Sequence, residues 1–164
     1  MYGSLAIGQR ALSLSRWMYR GHRPNWLAMQ LNRISAVVHR LGVAPNYMVT
    51  LEVIGRTSGK TIRLPLVMAI VDGRRYLVSM LGEDVAWVRN VRAAGGDVVL
   101  LHGRREAVHL EEVSADLRAP ILKAFLSRAP GARPHIPLDK DAPLPKFAEI
   151  AAGYPVFSVE TRRE

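Results

Sequence analysis

The residues best suited to chemistry in this sequence are Gly55-Arg56-Thr57-Ser58-Gly59-Lys60, followed closely by Arg63. Two glycines let a backbone approach a ligand, two hydroxyls can donate hydrogen bonds, and three cations lie close together. The set suits phosphate or carboxylate, although a tight turn carrying solvated charges would show the same residues. A nucleotide P-loop is excluded. That motif needs four residues between its glycines and a helix after the lysine, and here three residues separate Gly55 from Gly59. Beyond Lys60, moreover, Ile62, Leu64, Leu66, Met68 and Ile70 alternate with Thr61, Arg63, Pro65 and Val67, which is the period of a strand.

Other catalytic groupings are sparse. The chain has no cysteine, so disulfides, thiol catalysis and thiolate metal sites are excluded. No two of His22, His39, His102, His109 and His135 sit at metal-ligand spacing, and no metal site is expected. Ser58 lies in a turn that does not resemble a strained nucleophile elbow. The adjacent acids Glu111 and Glu112 fall on a predicted strand, where neighbours point to opposite faces. No catalytic side chain is expected. Trp87 and Asn90, three residues apart on one helical face, offer an indole to stack on a flat ring and an amide to read its edge. An ordinary core aromatic would occupy the Trp87 position equally well.

The elements that must position these residues follow from periodicity. Two leading helices are predicted over residues 4–20 and 25–41, the second with Leu27, Leu31, Ile34, Val38 and Leu41 on one stripe. From Tyr47 the period changes to two. Strands are predicted over 47–54, 62–71, 75–80, 97–102, 105–113 and 156–160, with Asp72-Gly73 and Gly103 as hairpin turns. A short helix over 85–94 has acids near its start and Gly95-Gly96 at its end. Ser114 is expected to cap a helix reaching about Arg128, in which Pro120 fits only if helical geometry begins late. Residues 130–145 read as a long proline-rich loop, followed by a short helix over 147–152. Hairpins predominate, which predicts an α+β fold: a small curved sheet or barrel covered by helices.

The net charge is +9, and its placement matters more than its sum. No acidic residue precedes Glu52, while six arginines do, and the rest of the chain is near balance. Such a leading segment suits an anionic membrane surface or an anionic ligand, or it packs against its own sheet with its arginines in water. Nucleic acid is not expected, because the segment has few interleaved aromatics and no recognition motif. No secretory signal or membrane-spanning run is evident, which favours the cytoplasm, with a peripheral position at the inner membrane face as the alternative.

Taken together, Gly55-Arg56-x-Ser58-Gly59-Lys60-x-x-Arg63-x-Pro65-Leu66, the Asp72-Gly73 hairpin, Ser79-x-x-Gly82, Trp87-x-x-Asn90 and Tyr154-Pro155-Val156-Phe157 resemble the deazaflavin-dependent nitroreductase family. The resemblance runs from about Asn46 to Glu160. It implies a split β-barrel over 46–164 behind a helical extension over 1–45. It also implies an F420-dependent oxidoreductase, in which reduced deazaflavin gives a hydride to a small hydrophobic acceptor such as a quinone, enone or nitro compound. Carried over, it assigns Arg56, Ser58, Lys60 and Arg63 to the phosphate and acidic tail of coenzyme F420, with Thr57 and Gly59 among the cofactor-binding residues. Pro65, Leu66, Met80, Leu81 and Gly82 would line the deazaflavin, with Trp87 and Asn90 beside it. The substrate-facing tyrosine cluster of nitroreductases has no clear match, and His135 and Tyr154 are the nearest candidates. An FMN-binding split-barrel enzyme and a non-catalytic deazaflavin-binding or peripheral membrane protein are the alternatives. The expected assembly is a monomer or homodimer.

Overall fold

The computed structural model describes residues 47–162, and the two predicted leading helices lie outside them. Six strands form a closed barrel: β1 (Met48–Ile54), β2 (Thr61–Val71), β3 (Arg74–Val78), β4 (Asp97–His102), β5 (Arg104–Glu112) and β6 (Val156–Thr161). The order around the barrel is β1-β2-β3-β6-β5-β4, and every neighbouring pair is antiparallel. Closure gives every strand a neighbour on both sides. The Asp72-Gly73 turn has positive φ at both residues, 49° and 74°, the geometry that a two-residue hairpin requires.

Alternation decides which residues enter the barrel. Val49, Leu51 and Val53 on β1 oppose Leu66, Leu64 and Ile62 on β2, and the same face continues through Met68, Leu77 and Phe157. Helix α1 (Ala86–Ala93) runs from the end of β3 towards the start of β4 and turns Trp87, Val88, Asn90 and Val91 inward. The Trp87 indole meets the inward-facing Phe157, ring centroids 5.6 Å apart and tilted by 58°. A second core lies outside the barrel. There Ala69, Val78 and Val156 pack against Ile121, Leu122, Phe125 and Leu126 of α2 (Ala119–Arg128) and Phe147 of α3 (Leu144–Ile150).

Four departures from the sequence reading have physical causes. β3 ends at Val78, not Met80, because Ser79 leaves the ladder: its N–H donates to the Pro155 carbonyl and its hydroxyl to the Gly82 carbonyl. The helix expected from Ser114 is divided. A single 3-10 turn covers Ala115–Leu117, and α2 begins at Ala119 with Pro120 in its first turn, where no amide is needed. The Ser114 hydroxyl makes no capping bond. The proline-rich stretch is shorter than expected, since α3 already begins at Leu144, with Pro145 in its first turn, and a 3-10 turn follows at Ala151–Gly153. The acids before α1 also lie outside its first turn, and Glu83 and Asp84 instead pair with Arg92 and Arg89.

Candidate functional site

The strand register gathers most of the predicted site at one end of the barrel. Ile54 pairs with Thr61, Val78 with Val156 and Glu112 with Phe157. The 55–60 turn, the 79–84 loop, α1 and the segment before β6 therefore share that end. The turn is folded by its own backbone: the Gly55 amide donates to the Lys60 carbonyl, and the Gly59 amide to the Gly55 carbonyl, both at 2.8 Å. Gly59 has φ +65° and open space around the position a Cβ would take. Gly55 serves a different purpose. A Cβ there would stand 2.7 Å from Ser58 Oγ and 2.9 Å from Ile62 Cδ1, so this glycine is required by the packing of the turn itself. Ser58 Oγ accepts from the Lys60 amide at 3.3 Å, which leaves its O–H available to donate.

The three cations differ in how they are held. Asn90, 2% exposed, lies beneath Arg56, and its Oδ1 accepts from the Arg56 backbone N–H at 3.2 Å and from Nη1 at 3.1 Å. This amide latches the turn to α1 without neutralising the guanidinium. Arg63 Nε donates to Glu52 Oε2 at 2.8 Å, and Arg105 binds the same carboxylate from the other side. Glu52 is 7% exposed, and its carboxyl is held below the usual range by Arg105 first and then by Arg63. Among the described residues Lys60 has no carboxylate partner. Arg56, Thr57, Ser58, Gly59 and Lys60 are all exposed.

The apolar candidates are divided by strand alternation. Pro65 is half-buried on the outer face of β2, opposite Thr50, whereas Leu66 points into the barrel opposite Val49. Trp87 is 4% exposed and packed on Phe157, so its position is that of a core aromatic closing the barrel end. Met80, Leu81 and Gly82 form a half-buried turn in which Gly82 adopts φ +85° and a Cβ would approach the Gly153 carbonyl at 3.3 Å. Met80 and Tyr154 both pack against the outer core. The Tyr154 hydroxyl donates to the His135 carbonyl at 3.0 Å, which brings the two substrate candidates together, and burial raises the Tyr154 pKa.

The arrangement exposes unneutralised cations and donors on a turn whose backbone is fixed from below, at the same end of the barrel as a half-buried apolar turn. That donor set fits a cofactor with an anionic tail and an apolar ring. The sequence reading missed Glu52 and Arg105 because they pair across 53 residues through two strand registers. It also missed Arg118, which is buried, and no local pattern marks it.

Comparison with known proteins places the fold among solved structures. A conserved hypothetical protein, Rv2991, from Mycobacterium tuberculosis is 15% identical, with a TM-score of 0.52 over 78% of this chain and 80% of that one. The protein Atu2129, of unknown function, from Agrobacterium tumefaciens is 11% identical, with a TM-score of 0.52 over 72% of this chain. This chain spans 49% of that protein's length. A third structure, described as a domain-swapped dimer, is 20% identical with a TM-score of 0.50, covering 83% of this chain and 98% of that one. Among curated proteins none matches this chain. Residues 23–134 match a family described as F420H(2)-dependent quinone reductase, a span that includes the 55–60 turn, the 79–84 loop and α1. The chain belongs to the F420H(2)-dependent quinone reductase family, and is with it an F420-dependent oxidoreductase on a six-stranded barrel.

Proposed function

We propose that this protein holds coenzyme F420 at the 55–60 end of the barrel and reduces a quinone or a similar small hydrophobic acceptor. The observation that carries the reading is the latched turn. Arg56 is tied down by a neutral amide, and Lys60, exposed in the same turn, has no carboxylate partner among the described residues, so positive charge is presented without being cancelled. Ordering like charges costs stability unless an anion meets them. Lys60, Arg56 and the Ser58 hydroxyl would take the phosphate and carboxylates of the tail. Arg63, steadied by Glu52, would lie at the outer margin of that contact.

Pro65 and the 80–82 turn would form the apolar wall for the ring. Trp87 and Asn90 then act from behind, Trp87 by filling the barrel end and Asn90 by aiming Arg56. The reduced deazaflavin supplies the hydride when bound, which is why the protein needs no nucleophile of its own. Tyr154 and His135 would stand on the acceptor side. The Tyr154 hydroxyl, its pKa raised further by burial, is protonated at neutral pH and donates to the His135 carbonyl. No described helix is long and apolar enough to cross a membrane. The basic leading segment, outside the described residues, is the part we would assign to an anionic membrane surface, where hydrophobic quinones dissolve.

The test is the oxidation of F420H2 by a short-chain quinone, followed as the return of F420 absorbance. Quinone-dependent turnover that falls at least tenfold in Lys60→Ala is expected. F420 binding without any quinone-dependent turnover would remove the acceptor from this account.

A further inference from the structure

A chain of alternating charges runs beneath the 79–84 loop. Glu83 Oε2 accepts from Arg92 Nη1 at 2.8 Å. Arg92 also grips Glu112 with two bonds, Nε to Oε2 at 2.9 Å and Nη2 to Oε1 at 2.7 Å. Glu112 Oε1 in turn accepts from Arg118 Nη2 at 3.3 Å. Arg118 is 6% exposed and spends its remaining donors on backbone: Nε on the Val113 carbonyl at 2.8 Å, Nη1 on the carbonyls of Tyr154 at 3.2 Å and Ala151 at 3.3 Å. A lysine could not reproduce that fork, since its charge is a point and its donors are not coplanar. The Glu112 carboxyl is held below its usual range, by Arg92 above all.

The two ends of this chain meet the two sides of the site. Glu83 belongs to the loop whose turn, 80–82, is the proposed ring wall. At the far end, Arg118 fixes the backbone of Tyr154, whose hydroxyl braces His135. The same two sides also touch directly, through the Ser79 amide on the Pro155 carbonyl at 2.9 Å and the fit of Gly82 against the Gly153 carbonyl. Both direct contacts lie close together, between residues 79–82 and 153–155. The charge chain adds a separate, more distant connection between the two sides through α1 and the end of β5.

We propose that Arg118, Glu112, Arg92 and Glu83 form a positioning relay that fixes the 80–82 turn relative to Tyr154. None of the four is a catalytic residue. Their assignment to hydride transfer rests on the function proposed above, but the mechanical coupling does not.

The relay is tested by amide hydrogen exchange on the ligand-free protein, comparing Glu83→Gln, Glu112→Gln and the double variant. Both positions are partly exposed, and both substitutions keep size while removing charge. Arg118→Lys serves as a further variant if it folds. Exchange across 79–82 should accelerate about five- to tenfold in Glu112→Gln, although among the described residues the Glu112 carboxylate is bonded only to Arg92 and Arg118, while β1 and β2 stay at the wild-type rate. The double variant should exceed the larger single effect by little, because both substitutions break one chain. Wild-type exchange across 79–82 in Glu112→Gln, or fully additive effects, would overturn the relay. In turnover the same variants should lower kcat for F420H2 oxidation several-fold with a smaller change in KM for the quinone. Titration of the wild type with F420, run in parallel, fails only if the functional reading is wrong, whereas the exchange comparison fails only if the relay is.

Discussion

Replacing Asn90 with leucine separates two things that the latched turn does: carrying charge and holding it still. Leucine keeps the branched heavy-atom skeleton of asparagine, though with bulkier methyl groups, but it offers no acceptor to the Arg56 backbone N–H or to Nη1. A hydrogen bond to a charged group contributes about 1.5–3 kcal/mol, and here the figure falls towards about 1 kcal/mol because the exposed Arg56 can recruit water instead. Folding stability should therefore drop by about 1 kcal/mol, a few degrees in Tm for a domain of this size. The loosened turn must be ordered again when the cofactor binds, which should weaken F420 by about five- to tenfold. All three cations are still present in this variant. Its F420 affinity should thus fall with added salt as steeply as that of the wild type, whereas Lys60→Ala should flatten the dependence. The assay is fluorescence titration with F420 at low and at moderate salt, alongside a thermal melt. Wild-type affinity in Asn90→Leu would refute the latch. A flattened salt dependence would show that Asn90 governs the charge and not the order of the turn.

The other predictions concern residues whose partners differ. Lys60→Ala should weaken F420 by about ten- to a hundredfold, the loss of one charge-assisted contact of about 1.5–3 kcal/mol, and Arg63→Ala by less, because Arg63 is already engaged with Glu52; equal losses in titration would contradict this ranking. Trp87→Ala should cost about 3–5 kcal/mol of folding stability, seen in denaturant unfolding, since it empties the barrel end against Phe157; a loss confined to cofactor affinity would instead make the indole a ligand-stacking surface. Glu106, bonded twice by Arg75 and once by Thr161, titrates at about 2 in the folded chain against an ordinary value of 4.5. Its stabilisation is fully present above pH 4.5 and lost as pH falls towards 2. Solvent screening limits it to about 1–2 kcal/mol, and Glu106→Gln should remove that much at pH 7 and flatten the acid limb of a stability–pH curve.

How far the sequence could be read depended on the range of the interaction. Strand alternation is local, so the inward run Ile62, Leu64, Leu66, Met68 and the Asp72-Gly73 turn were legible, and with them an antiparallel α+β barrel. The same alternation could have warned that Pro65 and Leu66, being adjacent, must face opposite sides. Helix starts were less legible where proline intervened, because Pro120 and Pro145 fit the first turn of a helix and interrupt any later one. The clustering of cations, hydroxyls and glycines over 55–60 was visible in composition. That Arg56 rests on Asn90, that Arg63 shares Glu52 with Arg105, and that Arg118 reaches Tyr154 were not, since each depends on which strands and helices meet across more than ten residues. Trp87 was legible as important but not as buried: the spacing Trp87-x-x-Asn90 is the same whether α1 faces a ligand or plugs the barrel.

The central claim is that the barrel end bearing Arg56 and Lys60 is a site for the anionic deazaflavin cofactor. It is tested most directly by equilibrium titration of the purified protein with F420 and with FMN, under identical salt and pH, in the wild type and in Lys60→Ala. The account predicts saturable F420 binding that exceeds FMN binding at least tenfold, weakens with salt, and is lost by about ten- to a hundredfold in Lys60→Ala. Preference for FMN, or F420 binding unaffected by Lys60→Ala, would contradict it.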